Sequence, residues 1–511
     1  MIAILLVLFY SAHHTLAQQY PLATFTVNST TDAVDAAAGN GICATATGVC
    51  TLRAAIQEAN ALVGDDIINL SAGTYALTLP GASEDAAASG DLDITSNITL
   101  NGGGAASTVI NGNWADRVLH VTGAFTVNLS GVTITHGNGS GGGIRNNGGA
   151  LTITDSAVSD NNSGSDAGGI FSSGTLTIAD STLSDNNSGS NAGGISSSGT
   201  LTITNSTFSS NNAGADGGVI YNSGVVVVAD SAFSDNNTGD NGGVIFNSGA
   251  ATVTGSSFSA NNASDGGGIY IASGGAITVT TSTLSDNTAW TGGGIYNAGG
   301  DTAITHSTFS GNGAFTGGGV FTQFNMTIAN STFSGNDASD GDDIYNSGGT
   351  LTVTNSTIFG YIIEPDSVVG AMNSPTSSTG VYNDGGTVTL RNTIVASHES
   401  GGNCVGPITN GGYNIDDGAT CGWGLTNGSK SNTDPLLGIL TGSPAYFTLN
   451  PGSPAVDAGN DAVCTAAPVN NTSQNGVTRP ADGDDNSVAA CDIGAFEHPV
   501  SFWLYLPCVV K

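Results

Sequence analysis

Basic side chains are nearly missing from this chain of 511 residues: seven Lys and Arg stand against forty Asp and Glu, for a formal charge of −33. That balance excludes nucleic acid and anionic membrane surfaces as partners, because contacts to phosphate need cations. Cysteine is missing from the whole middle of the chain. Cys43 and Cys50 precede that stretch, and Cys404, Cys421, Cys464, Cys491 and Cys508 follow it. No CxxC pair occurs, so zinc has no recognisable ligand spacing. Cys43, Cys50, Cys404, Cys421, Cys464 and Cys491 are disulfide candidates; pairing nearest neighbours would leave Cys508 over, but spacing alone does not fix connectivity. Long apolar runs are missing too. None reaches the ~18 residues of a membrane-spanning helix. The short run at residues 2–10, followed by Ala17, reads as a signal peptide over 1–17 and predicts a secreted, cell-surface-associated protein in which disulfides are the default.

Helical periodicity is the last absence. Only "TLRAAIQEANAL" (51–62) has it, with Thr51 as N-cap and Leu52, Ile56 and Ala59 on one face. The middle is instead a repeat. Positions equivalent to the first residue of "LTIT" are Val127, Leu151, Leu176, Leu201, Val226, Ala251, Ile277, Thr302, Met326 and Leu351, in steps of 24 to 26 residues. Each unit holds three short alternating segments, "GGxIYNSG", "LTITNS" and "TFSxNN", and alternation is the period of a strand. At ~3.3 Å per residue a unit traces about 80 Å, one three-sided turn of a parallel β-helix. Stacked turns predict an inward column Ile153, Ile178, Ile203, Val228, Val253. A second runs Val158, Leu183, Phe208, Phe233, Phe258. A ladder of buried amides runs from Asn161 through Asn186, Asn211 and Asn236 to Asn336. The expected fold is all-β, a right-handed parallel β-helix (a pectin-lyase-like solenoid) with a short N-terminal capping helix and a compact, disulfide-containing C-terminal region.

Three stretches resemble known families. "GICATATGVCTLRAAIQEANA" resembles the CSLREA-type N-terminal domain of bacterial surface proteins, with Thr51 and Ala54 departing from its signature. "NTDPLLG" through "NPGSPAVDAGN" to "CDIGAFE" is similar to the choice-of-anchor Q domain. The "GG[GV]I" and "FSxN" motifs resemble the repeats of polymorphic membrane proteins, which are adhesins. The resemblances imply a cap at 18–66, β-helix repeats at 67–400, an anchor-type region at 401–500 and a tail at 501–511. They also imply an adhesive role at a cell surface, although no membrane barrel or sorting motif accompanies them.

A catalytic reading is the runner-up: a polysaccharide lyase or glycosidase on the same fold. A lyase needs a base beside the sugar and acids to hold Ca²⁺, yet between Val118 and Leu390 the only Lys or Arg is Arg145. "NTD" at 432–434 echoes a polygalacturonase motif without its companions, and His136 and His306 stand isolated. No cofactor is expected. The pairs Asp65–Asp66, Asp342–Asp343, Asp416–Asp417 and Asp484–Asp485 could seed Ca²⁺ sites, but solvated turn aspartates explain them more simply. A grid of Thr on the "LTIT" strands, broken at Val227, Ala229 and Ala303, leaves an ice-binding surface as a minor alternative.

One outward column stands out. The residue after the inward Ile of "GGxI" is Phe171, Ser196, Tyr221, Phe246, Tyr270, Tyr296, Phe321 and Tyr345 in successive turns. Exposed aromatic strips mark contact sites, so Phe171, Tyr221, Phe246, Tyr270, Tyr296, Phe321 and Tyr345 are the candidate binding residues for a glycan or a surface protein. The competing explanation is that the rings stabilise the sheet by stacking on one another. The oligomeric state is not legible.

Overall fold

A computed structural model describes residues 22–82, 84–360, 379–398 and 401–499. The expected signal peptide, Cys508 and the tail lie outside them. The chain winds as a right-handed parallel β-helix. Each turn contributes one strand to each of three long parallel sheets, in chain order Ile144–Asn146, Ala150–Thr154 and Ala157–Ser159 for an early turn. Sheet 1 takes the "LTIT" strands, sheet 2 the "TFS" strands and sheet 3 the "IYN" strands. Among the described residues they hold 15, 15 and 13 strands, each strand paired with its equivalent one turn away. A small fourth sheet of two-residue strands, from Asn162–Ser163 to Asn237–Thr238, closes the corner after sheet 2.

The register pairs like with like, Leu151 with Leu176 and Ile153 with Ile178, so both expected columns run unbroken through the interior. Phe208, Phe233 and Phe258 stack there with centroids 4.8 and 4.9 Å apart. No turn could bury these rings alone; the shared interior stabilises each by about 2–3 kcal/mol. The Asn ladder is equally regular. Asn161 Nδ2 donates to Asn186 Oδ1 at 3.0 Å, Asn186 to Asn211 and Asn211 to Asn236, always toward the C-terminal end.

The corners explain the acidic composition. Asp155, Asp180, Asn205, Asp230, His306, Asn330, Asn355 and Asn392, at the corner between sheets 1 and 2, all have φ between 46 and 53°. Asp and Asn enter this left-handed region at low cost, because their short polar side chains bond locally. Part of the acidity is therefore a consequence of turning the chain.

The expected helix forms as α1 (Leu52–Ala61), with Thr51 Oγ1 accepting from Ala54 N. Leu52, Ala55, Ile56 and Ala59 cover the N-terminal end of the core. Buried Arg53 bonds Asp32 at 2.6 Å and the carbonyls of Ala87, Gly90 and Asp91. The parallel ladder extends on both sides of residues 67–400, from Thr24–Val27 to Lys430–Ser431. Disulfides join Cys43 to Cys50, Cys404 to Cys421 and Cys464 to Cys491.

The rest of the C-terminal region, with a hairpin (Leu437–Gly442, Ala445–Leu449) and α2 (Asp461–Thr465), folds back along the flank of the rod. Outward Thr residues of sheet 2 receive it: Thr308 Oγ1 donates to Ala445 O, Thr332 Oγ1 to Gln474 Oε1, and Thr357 Oγ1 accepts from Ala495 N. His306 meets Thr472 at 2.9 Å, so it is a docking residue and not an isolated surface side chain. The "DD" pairs also need correction. Asp66, Asp342, Asp343 and Asp416 are buried, because three of the pairs lie along a strand or corner and turn one carboxylate or both inward, whereas Asp484–Asp485 is exposed in a turn as expected.

Candidate functional site

Sheet 3 carries the outward column on strands of three residues whose flanking positions point inward, as in Ile220–Asn222. The register places Asp93, His120, Arg145, Phe171, Ser196, Tyr221, Phe246, Tyr270, Tyr296, Phe321, Tyr345 and Tyr382 in one line. From Tyr221 to Tyr382 the rings form one continuous stack of seven. Neighbouring centroids lie 4.9 to 5.4 Å apart with planes within 11°. Phe171 lies apart, beyond Ser196, under the Arg145 guanidinium at 4.9 Å. Tyr382 escaped sequence reading because 37 residues separate it from Tyr345, although "VYNDGG" repeats "IYNSGG".

The column is half-buried, not exposed, and Phe321 is buried. A strand spacing near 4.8 Å brings ring faces against ring faces, so inside the stack it is the edges and phenol hydroxyls that remain for a ligand. Burial pushes the Tyr296 phenol up to about 12; burial, with the Asp384 carboxylate bonded to it, does the same for Tyr345. These hydroxyls are neutral donors at any physiological pH. Beside them runs a corner ladder in which Asn alternates with Asp. Asn191 N donates to Asp166 Oδ1 and Asn241 Nδ2 to Asp216 Oδ1, which spaces the carboxylates two turns apart.

At the N-terminal end of the same face, charges gather that sequence spacing did not connect. Arg117 Nε meets Asp91 Oδ2 at 2.7 Å. Arg145 Nε donates to Asn147 Oδ1, Asn147 Nδ2 to His120 Nε2, and His120 Nδ1 faces Asp93 Oδ1 at 3.1 Å. Nδ1 of His120 thus faces the carboxylates of Asp93 and Asp85, at 3.1 and 3.6 Å, while Nε2 is held by Asn147, and the three side chains are close enough to one another to hold a metal ion. Burial, with Asp93 nearby, pushes the Asp91 carboxyl up to about 6. A second carboxylate group, Asp457, Asp482 and Asp484, is already occupied by backbone N–H groups of Gly483, Asp484, Asn486 and Ser487.

Concavities on the rod are open. One of about 470 Å³ lies on sheet 1, lined by Ala250, Ala276 and Ala303 beside Thr252, Thr278 and Thr327; another of about 520 Å³ lies between α1 and Asp85.

Residues 216–362 match the family described as right handed beta helix region. No curated protein matches the chain. Among solved structures, the chain is similar to pectate lyase Pel9A at 13% identity and a TM-score of 0.30, over 93% of this chain and 97% of that one. It is similar also to the A-module of mannuronan C-5 epimerase AlgE6 from Azotobacter vinelandii at 13% identity and a TM-score of 0.27, over 76% and 98%.

Proposed function

We propose that this β-helix is a secreted, non-catalytic binding rod that presents sheet 3 to a glycan at a cell surface. The observation that carries the reading is the unbroken seven-ring stack, about 30 Å long, bearing the hydroxyls of Tyr221, Tyr270, Tyr296, Tyr345 and Tyr382 in register. Many weak contacts at a fixed repeat add up without a deep pocket. Three disulfides fit an oxidising compartment. The CSLREA-like cap and the anchor-type trailing region belong to the same reading.

Because the rings also support one another, replacing them by Ser would confound binding with stability, at about 0.5–1.5 kcal/mol per lost pair. Changing all five Tyr to Phe keeps the stack and removes the hydroxyls. Affinity for an immobilised glycan, first identified on an array, should fall at least tenfold while the melting temperature stays put. Unchanged affinity in the five-fold variant would remove the column as the contact surface.

The second reading, a polysaccharide lyase or glycosidase, draws on the gathering of Asp91, Asp93, Arg117, His120 and Arg145. Arg117 is paired with Asp91, whereas Arg145 engages Asn147 through Nε alone and lies over Phe171, with its pKa lowered by burial and by nearby Arg117, so it is the residue on which this reading turns. Incubation with a polysaccharide panel should release neither unsaturated nor reducing ends; release that is lost in Arg145→Ala would establish the enzyme instead.

A further inference from the structure

Trp290 and Phe315 stand at the corner leading into sheet 3, five residues ahead of Ile295 and Val320, where the flanking turns carry Ser264 and Ser339. They are 66% and 50% exposed, yet stacked in parallel at 4.8 Å with planes 9° apart. The backbone fixes them in place: Trp290 N donates to Ser264 O at 2.7 Å, Phe315 N to Trp290 O at 2.9 Å, and Ser339 N to Phe315 O at 3.0 Å. The main chain beneath the rings is thus held before any ligand arrives, and the stacked rings restrain each other, which lowers the ordering cost of binding. On either side a small hydroxyl and a carboxylate follow each other, Ser264 with Asp265 and Ser339 with Asp340, leaving room above the outer face of each ring.

We propose that Trp290 and Phe315, with Ser264, Asp265, Ser339 and Asp340, bind hexopyranose units of a neutral polysaccharide. The C–H face of a pyranose suits the negative face of an aromatic ring, and carboxylates accept hydrogen bonds from sugar hydroxyls. A polyuronate is repelled by the −33 net charge. A protein partner fits less well. Two rings offer far less than the ~800 Å² per partner of a specific interface, and interface centres are depleted of charge, whereas carboxylates bracket these rings. The inference rests on the glycan-binding reading of the adjoining face and names its ligand class. The pair was recoverable from sequence, in "WTGGGI" and "FTGGGV", once the corner was recognised as surface.

Affinity electrophoresis of the full chain in gels containing galactomannan, soluble β-glucan or polygalacturonate tests this. Retardation is expected in at least one neutral gel and not in polygalacturonate, with Trp290→Ala/Phe315→Ala losing at least tenfold in affinity at an unchanged melting temperature. If that variant is retarded like the parent while the Tyr→Phe variant is not, this platform fails and the column reading survives. Retardation by polygalacturonate alone overturns the ligand class, and no retardation in any gel overturns both readings. A solution mass that halves in the double variant would identify a second copy as the occupant, and the proposal would fall.

Discussion

Replacing Asp343 by Gly should lower the stability of the C-terminal turns by about 3–5 kcal/mol, the cost of leaving a buried charge without its partner. Most turns carry Gly at this interior position, as at Gly294 and Gly319; here a fully buried carboxylate receives the last amide of the Asn ladder, Asn336 Nδ2, at 2.8 Å. Its other oxygen meets His398 Nε2 at 2.8 Å. His398 Nδ1 lies 3.1 Å from Asn403 Oδ1, and the Asn403 amide is a fixed donor, to Val395 O and to Asp416 and Asp417. Both ring nitrogens therefore face acceptors, and His398 is an imidazolium. Its pKa is raised: burial opposes the charge, but the bond to Asp343 and the surrounding carboxylates outweigh it. The carboxylate thus ends a row of aligned amides and holds a buried cation. His398→Leu should cost a similar amount by stranding Asp343, whereas Asp343→Gly/His398→Leu should cost much less than the sum. The check is the urea midpoint followed by tryptophan fluorescence, in which Trp423, buried at that end of the core, reports the loss. Additive losses would mean that the two residues act separately.

That pair shows where sequence reading stops. The 25-residue period made the sheet 1 strands from Val127 to Leu351 and the Phe and Asn columns legible, because a repeat that cannot bury its own apolar face must lend it to its neighbours; the flanking sheet 1 strands, such as Thr24–Val27 and Ile408–Asn410, lie outside the period. Contacts outside the period were invisible. His398 reaches Asp343 across 55 residues, and Gln474 reaches Thr332 across 142. Neither distance is a multiple of anything in the chain. The aromatic column is legible as well, and its rings stack as the competing explanation has it, because the strand spacing turns their faces to one another. Trp290 was passed over, since a single Trp in a corner loop belongs to no column until the corner is built.

The melting temperature should be higher at pH 5 than at pH 8, by at least about 5 °C, the reverse of ordinary acid sensitivity. In the C-terminal region burial pushes Glu497 up to about 7 despite fully buried Arg479 at 3.5 Å, and Asp492 up to about 6. Asp91 stands at about 6 at the other end. A group whose pKa is higher folded than unfolded contributes stability that is complete below its unfolded value and lost as pH rises through its folded one. For Asp91 and Asp492 that window runs from 3.8 to about 6, for Glu497 from 4.5 to about 7, and for His398 it opens above 6.5. Glu497 alone is worth about 3 kcal/mol at 1.36 kcal/mol per unit. His306, whose pKa is lowered by burial and by nearby Arg479, works the other way below 6.5. The effect should be local. Hydrogen exchange corrected for intrinsic rates should show residues 479–497 losing protection above pH 7, while the turns around Phe208 and Phe233, held by apolar rings, do not change. A melting temperature that is level or rises between pH 5 and 8 would mean that these carboxylates lie nearer water than their packing implies.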